Sequence, residues 1–157
     1  MGGVITIPAT TKGLYLGGMA ALNLPSLSGT GDWHFEQTFF RPRSKRSRSF
    51  ISGQGCPTDT NPFLGDEGIY DCTNILLKLG IPYERSPVYA ANHARAIADL
   101  VLDAIMRDHS PDFVVLDDWM PRNTDKQQVF AMLVKAIKCL SIQQRKQVLD
   151  WQKKNSA

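Results

Sequence analysis

The spacing of apolar residues changes near residue 66, and that change limits the folds open to the chain. Downstream, Ile69, Cys72, Leu76 and Leu79 recur at helical intervals, with Gly80 and Pro82 supplying a stop. Ala90, Ala94, Ile97, Leu100, Val101, Ala104 and Ile105 make a broad stripe along a helix expected over 88–107. On that helix Arg95–Asp99 and Asp103–Arg107 read as i,i+4 ion pairs of the wet side. A third stripe combines Val129, Met132, Leu133, Ala136, Ile137 and Leu140. Thr124–Gln127 and Ser141–Gln144 both have the capping-box pattern, so helices are expected to open there, the last running from Ile142 to Lys153. Pro111–Leu116 reads as a short buried strand or one turn of helix.

Upstream the texture is strand and loop. Val4–Ile7 is a β-branched run stopped by Pro8, and Gly13–Leu24 is apolar but broken at Gly17 and Gly18, which predicts strand–turn–strand. Asn23–Thr30 is loop by composition. Asp32–Phe40 alternates, with Trp33, Phe35 and Phe39 on one face and Asp32, His34, Glu36 and Thr38 on the other. Residues 41–62 are basic, then rich in Gly and Pro, and are expected to form an exposed, mobile loop. Strands followed by helices predict an α+β fold: a small N-terminal antiparallel sheet from residues 4–40, packed by three to four C-terminal helices from 66–153. With 157 residues, 43% hydrophobic and 21% charged, one globular domain spanning 1–157 is expected.

Charge is uneven. Residues 1–63 carry a net +3, residues 64–125 a net −6 and residues 126–157 a net +6. A negative middle and a positive end can neutralise each other internally, so the asymmetry is a weak pointer to nucleic acid. No apolar run approaches the roughly 18–20 residues that span a bilayer, so no membrane partner is expected. Met1–Pro8 lacks the charge and apolar core of a secretory signal. Cys56, Cys72 and Cys139 are odd in number and widely separated, which argues against a disulfide framework and for the reducing cytoplasm.

Chemistry-bearing residues are sparse. Asp32, His34 and Glu36 would point the same way from a strand, about 6–7 Å apart, so two carboxylates could flank an imidazole. The plainer reading is a wet strand face. His93 falls beside the apolar stripe with Ile97, Leu100 and Ala104, where it is either a core histidine bonded to backbone or part of a polar pocket shared with His34. His109 reads as surface. Cys56 sits on a Gly-rich segment without a local base, whereas Cys72 and Cys139 read as packing residues. The five cations Arg41, Arg43, Lys45, Arg46 and Arg48 could contact phosphates, dock on an acidic protein or serve solubility alone. Asp117 and Asp118 read as a helix cap or as ion-pair partners for cations of the last helices.

Two resemblances bear on function. Pro111–Pro121, with an aspartate that follows an apolar run and precedes x-x-Met-Pro, resembles the phospho-acceptor strand of response-regulator receiver domains, which would make Asp117 the phosphorylated residue. That family also needs an acidic pair ending its first strand and a later Thr or Ser and Lys on two further strands. These are missing, so a receiver fold is not expected. Ala21–Pro25, Thr30–His34 and Val88–Ala96 resemble small bacterial proteins of toxin–antitoxin or mobile-element cassettes, which implies a protein partner and transfers no catalytic residue. The first expectation is therefore a small regulatory, antitoxin-like protein that binds another protein. The alternatives are a metal-assisted hydrolase using His34 and His93 with Asp32 or Glu36, and a nucleic-acid binder acting through 41–48. No cofactor is indicated by any motif.

Overall fold

A computed structural model of the chain describes residues 6–24, 51–56, 58–120 and 122–156. Among them are the strands β1 (Leu14–Leu16), β2 (Ile51–Gly53), β3 (Ile69–Asp71) and β4 (Tyr89–Ala91). The helices are α1 (Gly18–Leu22), α2 (Asn61–Leu64), α3 (Thr73–Leu79), α4 (His93–Met106), α5 (Leu116–Trp119), α6 (Asn123–Ile137) and α7 (Ile142–Asn155), with a 3-10 turn at Pro111–Phe113. The class is α+β.

The strands form one sheet in the order β2-β1-β4-β3. β1–β2 and β3–β4 are antiparallel and β1 and β4 run parallel through Leu16 and Ala90, so the sheet is mixed, and β2, β3 and β4 lie beyond the 4–40 segment from which it is expected. A parallel pair needs a long crossover, which the chain between Leu16 and Tyr89 supplies. The pleat separates two cores. Leu16 and Ala90 face a cluster with Cys72, Leu76, Ile81 and Val88, against which Ile51 and Tyr70 also pack. Tyr15 and Ala91 face the larger cluster built on α4, α6 and α7, joined by Ile69. The sheet thus lies between α3 and the C-terminal helices.

α4 is the centre of the second cluster, and every one of its residues from His93 to Asp99 is buried. Alanines at 94, 96, 98 and 104 let neighbours approach on all sides, as a helix enclosed by protein requires. Asn92 fixes where it starts: its backbone is extended (φ −68°, ψ 171°) and its side chain accepts a hydrogen bond from the Arg95 amide.

That cap is why 89–91 is strand although helix is expected from 88. Similarly, Ile69 belongs to β3 and not to a helical stripe. Asp71 accepts from the Thr73 amide and hydroxyl, so α3 opens only at Thr73. Gly13–Leu24 departs from strand–turn–strand because Gly18 turns the chain with φ 56°, after which Ala20, Ala21 and Leu22 continue as helix. Residues 51–53, expected within a loop, form β2, while 41–50 and the Asp32–Phe40 strand fall outside the described residues.

The third helical stripe is internal: Val129, Met132, Leu133, Ala136 and Leu140 are all buried. Of the two expected capping boxes, Ser141–Gln144 is present in full, with both reciprocal bonds made. The Thr124 box is not, because α6 begins two residues earlier than that box requires, at Asn123, with Arg122 in the cap position. α7 is fastened by its inner side. Trp151 Nε1 donates to the Val114 carbonyl at 3.0 Å, and Asn155 Oδ1 accepts from the Leu116 amide at 3.0 Å.

Candidate functional site

The most concentrated polar chemistry lies where β1, the 60–68 segment and α4 meet. Arg95 and Asp99 are both buried, with Nε donating to Oδ1 at 2.9 Å. The wet-side expectation for this pair is corrected: α4 has no wet side at that level. Tyr15 donates its hydroxyl to Asp99 Oδ2 and Thr60 its own to Oδ1, each at 2.5 Å. Arg95 Nη2 reaches the Tyr15 and Thr60 oxygens at 3.1 and 3.0 Å, and Nη1 the Gly65 and Glu67 carbonyls at 2.9 and 2.6 Å. All five guanidinium N–H groups are engaged. The guanidinium carbon also lies 5.3 Å from the centre of the Tyr15 ring.

Burial pushes the Asp99 carboxyl up, while Arg95 and the hydroxyls of Thr60 and Tyr15 pull it back down. Burial also raises the Tyr15 phenol, reinforced by the Asp99 charge. The donors of this cluster are spent within it or on the Gly65 and Glu67 carbonyls, and its four side chains are buried. The cluster ties three segments together, and its chemistry is that of a staple. Sequence reading finds Arg95 and Asp99 but not Tyr15 or Thr60, which come from distant, uncharged stretches.

His93 lies beneath α1. Its Nε2 donates to the Leu24 carbonyl at 2.7 Å, which makes it a core histidine bonded to backbone. Burial lowers its pKa from the ordinary 6.5, against the opposing pull of the Leu24 and Ala21 carbonyls. Nε2 thus carries the proton of that bond. Asp32, His34 and Glu36, and the cations Arg41, Arg43, Lys45, Arg46 and Arg48, lie outside the described residues. Among the described residues no group of three or more His, Cys, Asp or Glu side chains could hold a metal ion, and no helix is long and apolar enough to cross a membrane.

Burial raises the thiols as well: Cys72 is pushed up to about 12, and Cys56 moves the same way with Asp59 adding to it. Neither is poised as a thiolate nucleophile. Cys139 is exposed, not packed, because it falls in the turn between α6 and α7. His109 is on the surface. Asp117 sits in the first turn of α5, not at a strand end, and pairs with the buried Lys126 of α6.

The surface carries a second feature. α7 buries Val148 and Trp151, and its opposite side bears Ile142 and Leu149, 84% and 53% exposed. Together with Lys146 and Lys153 they occupy positions i, i+4, i+7 and i+11, a single row along the helix. Sequence reading finds this helix but not its outward row, although the phase of Trp151 relative to Leu149 contains the signal. No family model, no curated protein and no solved structure matches this chain.

Proposed function

We propose that this chain is a small regulatory protein, antitoxin-like in kind, that acts by binding another protein. The observation that carries the reading is the outward row of α7. A helix fastened to the body on one side holds two large aliphatic residues in water on the other. Isolated exposed apolar residues are ordinary, but two aligned seven positions apart on one rigid helix are what a helix-in-groove or helix-on-helix contact uses as anchors. The interior polar cluster supports the same reading from the other direction, since its hydrogen-bonding groups serve the fold. The antitoxin character rests on the resemblance of 21–25, 30–34 and 88–96 to cassette proteins.

The test is native mass spectrometry of the tagged chain isolated gently from its own cells. A stoichiometric second polypeptide is expected. A chain found alone at every concentration tried sinks the reading.

A further inference from the structure

Residues 126–157 hold seven cations and one acid. Three of those cations are neutralised by carboxylates of the acidic middle: Lys126 by Asp117, Lys135 by Glu67 and Lys154 by Asp112. Arg145 turns back to the Leu140 carbonyl at 3.0 Å. Among the described residues no carboxylate lies within ion-pair distance of Lys138, Lys146 or Lys153. Two of these three, Lys146 and Lys153, alternate with Ile142 and Leu149 in the outward row of α7. Asp150, the one acid of that helix, lies to the side of the row.

We infer that the outward face of α7 is the docking surface and that its occupant is an acidic, amphipathic protein segment, with aliphatic side chains to cover Ile142 and Leu149 and carboxylates to meet Lys146 and Lys153. The inference rests on the protein-binding reading above and adds where the partner sits and what its surface is made of. Charge decides among the occupants. A second copy docking through the same face would set lysines against lysines across the two-fold axis, which is unfavourable. A nucleic acid would be offered cations but no aromatic ring for its bases, since the row is aliphatic. A lipid surface requires a wide apolar face, and this helix has two outward apolar residues among charges and amides. Against a protein helix bearing an apolar seam edged with carboxylates, both kinds of residue are satisfied at once.

The test uses the full chain and two synthetic helical peptides that share one leucine seam, edged with glutamates in one and lysines in the other. Fluorescence anisotropy is expected to show binding of the glutamate peptide only, weakening as salt is raised. The double variant Ile142→Ser/Leu149→Ser should weaken binding about tenfold or more, and Lys146→Glu/Lys153→Glu should transfer the preference to the lysine peptide. All four side chains point away from the core, so circular dichroism should be unchanged in both variants. Failure of the glutamate peptide to bind, equal binding of the two peptides, or insensitivity to either variant overturns the inference. So does displacement of the glutamate peptide by a single-stranded oligonucleotide or by self-association of the chain. If a partner polypeptide is captured and remains bound to the double serine variant, the protein-binding reading stands and the α7 assignment falls. If no partner is found at all, the reading itself falls.

Discussion

Arg95 and Asp99 stand one turn apart on α4 with Nε and Oδ1 2.9 Å from each other, and neither side chain reaches solvent. One turn further along, Asp103 and Arg107 make a pair of the same spacing at 3.1 Å, with the arginine 46% exposed. In the sequence both are i,i+4 charge pairs, differing in the order of acid and base and in their neighbours. In energy they are not alike: the outer pair contributes a few tenths of a kcal/mol, whereas the inner pair has given up its water and depends on Tyr15, Thr60 and two carbonyls to replace it.

Removing one partner of each pair exposes the difference. Asp99→Ala leaves a guanidinium charge buried without its counter-ion and should lower the unfolding free energy by about 3–5 kcal/mol. Asp103→Ala should change it by no more than about 0.5 kcal/mol. Urea titration of both variants compares them, and similar losses from the two would show that the inner pair is not the staple described.

The loop over that pair is equally constrained. Gly68 has φ 76°, and a Cβ there would fall 2.8 Å from the Cβ of Arg95 and 3.0 Å from Asn92 Oδ1. Gly80 has φ 74° with nothing within 4 Å. Gly80→Ala should therefore cost only the left-handed penalty, about 1–2 kcal/mol. Gly68→Ala should cost clearly more, because the loop that supplies the Glu67 carbonyl must also lift off Arg95. Equal shifts in urea midpoint would argue against the close approach.

His93 gives the chain a pH dependence of definite sign. Its folded pKa lies below the ordinary 6.5, so in the window between them the unfolded chain binds a proton that the folded chain does not. The contribution is fully present above 6.5 and is lost as pH falls through the folded value, with a slope of at most about 1.4 kcal/mol per pH unit. Urea midpoints taken between pH 7.5 and 5 should fall on acidification. His93→Gln should flatten the decline. A variant with an undiminished slope would place the dependence on other groups.

What the sequence reveals follows from the range of the interactions involved. The apolar stripes of the long helices and the Ser141 cap are local, set by residues within one or two turns, and the bodies of α6 and α7 lie where periodicity puts them, although α3 and α4 open later than expected and the Thr124 cap is absent. The strands are three residues long and owe their existence to partners far away. Ala90 is a strand residue because Leu16 lies beside it, a fact absent from its own neighbourhood. Burial of Arg95 and Asp99 was signalled only indirectly, by alanines on every side of α4, and their hydroxyl partners Tyr15 and Thr60 carry no local signal at all. The charge asymmetry was more informative than any motif. The acidic middle does neutralise cations of the basic end, and the lysines left over lie beside exposed aliphatics on α7.

The presentation of that face depends on how α7 is held, which Trp151 makes testable. Its ring meets Phe130 edge-on, with centroids 6.3 Å apart, and its indole N–H satisfies the carbonyl of Val114, a residue itself 1% exposed. Trp151→Phe keeps an aromatic ring in the site but orphans that carbonyl, so a loss of about 1–3 kcal/mol is expected. The amides of α7 and of residues 114–116 should lose hydrogen-exchange protection together, because Trp151 and Asn155 fasten one to the other. If the 114–116 amides keep their protection while stability falls, apolar packing alone holds the helix. In that case the outward row would be positioned by the α6 stripe, and substitutions at Met132 or Leu133, not Trp151, would be the ones to disturb binding.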